Sequence, residues 1–176
     1  MIKNRLNRSE LAVPASKVDF FEKAANSNSD IIFLDLEDSV PLDEKKKARN
    51  NAIDAVNNID WKKKSLSIRI NSQESKLADL DIDHILKNTS DRLDLIMLPK
   101  VNNANDVLKI DKTISTLELK YKRKKKIGLE LIIETALGMQ NVNEIASYNR
   151  RLESLHFGVA DYAASTKRMA VCSVPP

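Results

Sequence analysis

Short apolar runs alternate along this chain with longer amphipathic stretches. Ile31 to Leu36 reads Ile-Ile-Phe-Leu-Asp-Leu, the pattern of a strand covered on both faces. Ser65 to Ile70 alternates small or polar with apolar residues, a second strand pattern. Leu93 to Leu98, closed by Pro99, and Ile127 to Ile133 are further apolar strands. Ser9 to Pro14 is a weaker one, and another strand begins at Leu155. Between them the spacing predicts helices over Lys17 to Asn26, Leu42 to Asn57, Leu77 to Lys87, Ala104 to Leu119 and Gly138 to Ser147. Ser16 stands where it can cap the first helix, with Asp19 in its first turn.

Strand and helix in alternation at this spacing predict an α/β fold with a parallel sheet covered by helices. An open doubly wound sheet and a closed (β/α)8 barrel both satisfy the pattern. The first strand-to-helix turn has no glycine fingerprint, which counts against a dinucleotide-binding sheet. Glu37, Asp38, Arg69, Asn71, Lys100, Glu134 and Asp161 all fall at or just past the carboxyl end of an apolar run. In either architecture that edge is where sites are built.

The 176 residues, 42% hydrophobic and 31% charged, suffice for one domain with a real core. No apolar stretch is long enough to span a bilayer, so no membrane partner is expected. Lys3, Arg5 and Arg8 are not followed by an apolar segment, so a secretory leader is not expected either. Cys172 is the only cysteine, which excludes an intramolecular disulfide and fits a cytoplasmic protein. The net charge of +4 is compatible with an anionic substrate. Much of that excess lies in Lys120 to Lys126, which reads as a solvated linker. Only Tyr121 interrupts the run, so a base-stacking platform is unsupported and no nucleic-acid partner is expected.

Glu134 and Asp161, each closing a strand, should point into one mouth. Two carboxylates with positions left for water and substrate suit a hard divalent cation such as Mg2+; on spacing alone the commoner fate is to pair with a lysine or arginine or to cap the next helix. Arg69, in an otherwise apolar and small strand, needs an acidic partner. It could bridge to Glu37 or Asp38, or hold a substrate carboxylate or carbonyl. Strand alternation puts Asp35 and Glu37 on one side. Glu37 and Asp38 are read as supporting residues that position Arg69 or metal-bound waters. Lys100 could bind an anion or bridge to an acid. His84 and His156 lack ligand spacing and read as structural or surface residues. Cys172 has no activating base nearby in sequence, so it is not read as a nucleophile.

Several motifs occur together and in order: Arg8-Ser9 with Pro14-Ala15, Leu34-Asp35-Leu36-Glu37-Asp38-Ser39-Val40, Lys45, Ala48-Arg49, Arg69-Ile70-Asn71, Leu98-Pro99-Lys100, Glu134-Thr135-Ala136-Leu137-Gly138 and Phe157-Gly158-Val159-Ala160-Asp161. In this the chain resembles the HpcH/HpaI aldolase and citrate lyase family from about Arg8 to Ser165. The run Ala160 to Ser165 is most similar to its malyl-CoA, β-methylmalyl-CoA and citramalyl-CoA lyase branch. The resemblance implies a TIM-type barrel, trimers or hexamers, Mg2+ as cofactor and an acyl-CoA thioester as substrate. It implies Glu134 and Asp161 as metal ligands and Arg69 as the group that binds the reacting oxygens and stabilises an enolate. Arg8 and Lys17 are implied contacts for the CoA end.

The family is longer. The expected architecture is therefore an incomplete barrel of about six βα units over residues 1–165, with a tail, residues 166–176, unlike the family. The expected function is a magnesium-dependent carbon–carbon lyase acting on a 3-hydroxyacyl-CoA. A malyl-CoA thioesterase or an inactive scaffold are the alternatives on the same fold.

Overall fold

The computed structural model describes residues 5–148 and 150–168. The six strand patterns of the sequence become one parallel sheet in the order β1-β2-β3-β4-β5-β6. The strands are β1 (Glu10–Pro14), β2 (Ile31–Asp35), β3 (Ser65–Arg69), β4 (Leu95–Leu98), β5 (Gly128–Ile133) and β6 (Leu152–Phe157). The helices are α1 (Phe21–Ala25), α2 (Lys45–Asn58), α3 (Ala78–Asn88), α4 (Ala104–Lys120), α5 (Ala136–Gln140), α6 (Val142–Ala146) and α7 (Val159–Ser165).

The alternation of side chains along each strand separates two faces. Ile32, Leu34, Leu66, Ile68, Ile96, Leu98, Leu129, Leu131 and Ile133 pack outward into one core with Ala52, Val56, Ile82, Ile85, Val107, Ile110 and Ile114 of the helices. Asp35, Ser67, Arg69, Met97, Glu130 and His156 turn to the other face. That face closes on itself: His156 Nδ1 of β6 lies 3.4 Å from Glu10 Oε2 of β1, although the two strands are the opposite edges of the sheet. The sheet is thus curled like six staves of a barrel, as expected from sequence. Leu155 and Phe157 lie on the outer face of β6 and stay largely exposed, Phe157 at 54% even with the Tyr162 ring of α7 against it, centroids 5.2 Å apart.

Local sequence accounts for most boundaries. Asn103 and Asp106 form a reciprocal capping box that starts α4. Thr135 caps α5 by accepting from Gly138 N–H at 2.9 Å. Gly138 is required there because a Cβ would collide with the Val101 carbonyl. Arg49 of α2 and Asn71 both bind the buried Asp81 of α3, so these two motif residues tie helices to the sheet rather than entering a site.

Four expectations need correction. Ser16 makes no capping bond; the helix begins as a 3-10 turn over Val18–Phe20 before α1. The single helix expected over 138–147 is two short helices that meet at Asn141, whose Nδ2 donates to the Asn102 carbonyl. β6 starts three residues before Leu155, at Leu152. The Lys120–Lys126 run is not a free linker. Arg123 donates to the carbonyls of Leu86, Thr89 and Ser90, and Lys125 pairs with the buried Asp94. The expected tail, residues 166–176, lies outside the described residues from 169 onward, Cys172 included.

Candidate active site

Parallel strands deliver their carboxyl ends to one rim, and most of the residues singled out from sequence meet there. Asp35 and Arg69 are directly paired across β2 and β3. Arg69 Nε donates to Asp35 Oδ1 and Nη2 to Oδ2, both at 2.7 Å, a bidentate clamp. Asp35 also accepts the Glu37 and Ser39 backbone N–H groups. Burial pushes the Asp35 carboxyl up, but Arg69 and these donors outweigh it and hold it below the ordinary range. Arg69 Nη1 stays 3.6 Å from Glu37 Oε2 and 3.7 Å from Asp38 Oδ2, too far for hydrogen bonds.

Lys100 links this pair to Glu134. It closes β4 in the left-handed region, φ 54°, which a lysine rarely adopts. Its Nζ reaches Glu37 Oε1 at 2.7 Å and Asp38 Oδ1 at 3.4 Å, while its backbone N–H donates to Glu134 Oε1 at 2.8 Å. Burial lowers the Lys100 ammonium, yet Glu37, Asp38 and Asp161 raise it overall.

Glu134 is buried at the end of β5. Its other oxygen, Oε2, lies against Gly158, the residue before α7. A Cβ at Gly158 would sit 2.6 Å from Glu134 Cβ and closer still to Oε2, so only glycine leaves that oxygen its place. Asp161 follows in the first turn of α7. Burial, then the charges of Asp161 and Glu37, push the Glu134 carboxyl up to about 7 against the Lys100 N–H. Two buried or half-buried carboxylates that repel each other, one with a free oxygen, form a hard-oxygen donor set that a divalent cation would neutralise. On this chemistry Glu134 and Asp161 fit Mg2+.

A sequence model of the HpcH/HpaI aldolase/citrate lyase family matches residues 8–171. The chain belongs to that family. Among curated relatives of the family, an L-malyl-CoA/beta-methylmalyl-CoA lyase of Rhodobacter capsulatus is 47% identical over 92% of this chain and 51% of its own length. A citrate lyase subunit beta of Haemophilus influenzae is 30% identical over 93% of this chain and 55% of its own. The chain therefore spans about half the length of these family relatives. Among solved structures of the family, a citrate lyase beta subunit of M. tuberculosis, complexed with oxaloacetate and magnesium, superposes with a TM-score of 0.71 and 25% identity, covering 92% of this chain and 64% of that one.

The rim thus gathers Arg69, Glu37, Asp38, Lys100 and Glu134, with Asp161 in electrostatic reach. Lys17, in the turn after β1, is exposed on the same edge. Arg8 does not join them. It precedes β1 and so stands at the opposite, amino-terminal edge, bound to Asp30 by its Nη2 at 2.7 Å. One partnership was missed. Asp35, not Glu37 or Asp38, is the direct partner of Arg69; strand parity and register carried that signal. Lys100 bridges Glu37, one of the two roles its position left open.

Proposed function

We propose that this chain carries the metal-binding and enolate-stabilising rim of a magnesium-dependent carbon–carbon lyase that cleaves a 3-hydroxyacyl-CoA of the malyl-CoA type. The observation that carries the reading is the one cluster joining Arg69, Lys100 and Glu134 through Glu37, with Glu134 Oε2 kept open by Gly158. The names of the two curated relatives, a malyl-CoA lyase and a citrate lyase subunit, support the same class of reaction.

Glu134 and Asp161 would hold the cation. When bound, Mg2+ supplies positive charge that polarises the hydroxyl and carboxylate oxygens of the substrate. A base removes the hydroxyl proton, the new carbonyl forms, and the carbon–carbon bond breaks. Its electron pair moves onto the thioester, giving an enolate that is then protonated on carbon. The products are acetyl-CoA or propionyl-CoA and a 2-oxo acid such as glyoxylate. Arg69 faces the oxygen on which charge develops. Asp35 takes Nε–H and one Nη2–H, so Nη1 and the second Nη2–H are the donors left for that oxygen, held in place before the charge appears. Glu37 and Asp38 hold Lys100 and stand beside Nη1 without occupying it. Lys17, exposed on this edge, is a contact for the CoA end; residues 1–165 form the lyase domain, and the working assembly is a homo-oligomer.

Isothermal titration of malyl-CoA into this chain and into Glu134→Ala, each with and without Mg2+, tests the reading. Metal-dependent binding by the parent chain that the variant loses is the expected result. Equal behaviour of the two proteins would remove the proposal.

A further inference from the structure

Below the rim, the inner face of the curled sheet holds a second group of ligand-type side chains. Glu10 of β1, Glu130 of β5 and His156 of β6 each offer an atom, and those atoms lie within 4.8 Å of one another. His156 Nδ1 is 3.4 Å from Glu10 Oε2 and its Nε2 is 3.6 Å from Glu130 Oε1. Ser154 Oγ lies 2.9 Å from Nε2 and holds the ring in place. Glu130 sits four residues before Glu134 on the same strand, about 13 Å below it at about 3.3 Å per residue.

The charges do not balance. Among the described residues, neither carboxylate has a lysine or arginine partner; His156 is the sole basic group that faces them. With both carboxylates ionised, even a protonated imidazole leaves a net negative charge in a buried place. Glu130 is 1% exposed and its Oε2 has no partner; Glu10 Oε1 has none either. A third, independent orphan is the hydroxyl of Ser67, a residue fully buried on β3.

Register places Ser67 in the same layer as the group. Glu10 is level with Ser65, two residues before Ser67, and Ser67 is level with Gly128, two residues before Glu130. Each pair of strands therefore climbs two residues, the stagger of a barrel layer, and Glu10, Ser67 and Glu130 occupy one layer. Buried, unpaired oxygens cost several kcal/mol in an apolar setting unless a proton or a bound cation compensates them.

We propose that this layer is a second cation site, distinct from the rim, for a divalent transition metal. The imidazole beside two carboxylates favours Mn2+, Fe2+ or Zn2+ over Mg2+. Glu10, Glu130 and His156 supply the ligands, and Ser67 donates to a carboxylate oxygen or a bound water. The inference stands whether or not the rim performs the proposed reaction.

Mn2+ is the probe. Glu134→Gln removes the rim carboxylate, and titration of Mn2+ into that variant should still show one equivalent bound. Pulsed electron paramagnetic resonance should show nitrogen modulation from the imidazole. Adding Glu130→Gln should weaken binding at least tenfold, and adding His156→Gln should abolish the nitrogen modulation. His84→Gln, on the surface, should change neither. Far-UV circular dichroism checks that each variant folds, and either inner variant suffices if the other does not. A folded Glu134→Gln chain that takes up no Mn2+, or one whose binding survives both inner substitutions, overturns the proposal and assigns a shared proton to the two carboxylates instead.

Discussion

Asp35→Ala attacks the joint on which the rim depends. The carboxylate is buried, is bidentate to Arg69 at 2.7 Å on both arms, and accepts two backbone N–H groups from the loop that carries Glu37 and Asp38. Removing one partner of a buried ion pair typically costs about 3–5 kcal/mol because the other charge is left behind. Here Glu37 and Asp38, at 3.6 and 3.7 Å, remain beside the guanidinium and soften that loss. The two orphaned N–H groups add to it, at about 1–3 kcal/mol each where they stay dry. The expected net cost is about 3–4 kcal/mol. Urea unfolding followed by circular dichroism measures it, and a double-mutant cycle with Arg69→Leu isolates the pair. The coupling should be about 2 kcal/mol, with the double variant less damaged than the sum of the singles. A loss under about 1 kcal/mol for Asp35→Ala, or strict additivity in the cycle, would refute the reasoning.

Three further outcomes follow from the same geometry. Gly158→Ala should cost about 1–3 kcal/mol of stability by overpacking against Glu134 and should weaken Mg2+ binding at the rim; titration calorimetry checks the second point, and unchanged affinity would mean that Oε2 is not a ligand. Glu134 and Glu10 both have folded values raised to about 7, Glu134 by burial and then Asp161, Glu10 by burial and then Glu130. An acid raised on folding binds its proton more tightly in the native state, so in metal-free buffer stability should fall as pH rises from about 4.5 to 7 and level off above it. Glu134→Gln should flatten part of that slope in a series of urea titrations, and a parent chain whose stability rises over the same window would contradict the assignment. Arg123→Ala should destabilise by about 2–3 kcal/mol, since it leaves carbonyls in the last turn of α3 and in the loop after it without their charged donor; a change under about 0.5 kcal/mol by urea titration would mean that water replaces the guanidinium freely.

The fold was legible because each element carries its own period. The apolar runs of β2, β4 and β5 and the amphipathic spacing of α2 and α4 do not compete with any other assignment. Where propensity was weak, at α5 and α6, a backbone carbonyl of a distant turn decided: the Asn141 side chain donates to the Asn102 carbonyl, and the helix breaks there. The rim was legible in part. Glu134, Asp161 and Arg69 stand at strand ends, and strand ends of a parallel sheet share a face. The Asp35–Arg69 clamp was readable too, since alternation places Asp35 inward, but it needs the β2–β3 register to decide between three neighbouring acids. The left-handed turn at Lys100 has no glycine to announce it. The fate of the Lys120–Lys126 run depends on which carbonyls end α3, a tertiary fact. The meeting of Glu10 with His156 lies beyond local reading altogether, because it requires the curvature of the whole sheet.

The climb of one residue per strand has a further consequence. A sheet with that pitch comes back on itself after eight strands, displaced by eight residues, which is the geometry of a closed (β/α)8 cylinder. The circumference is therefore already set by the six strands described, and between β6 and β1 it leaves a slot two strands wide. Whatever fills that slot must run parallel to its neighbours and arrive already staggered. Its neighbour β6 offers the exposed edges of Leu155 and Phe157 as apolar surface to meet.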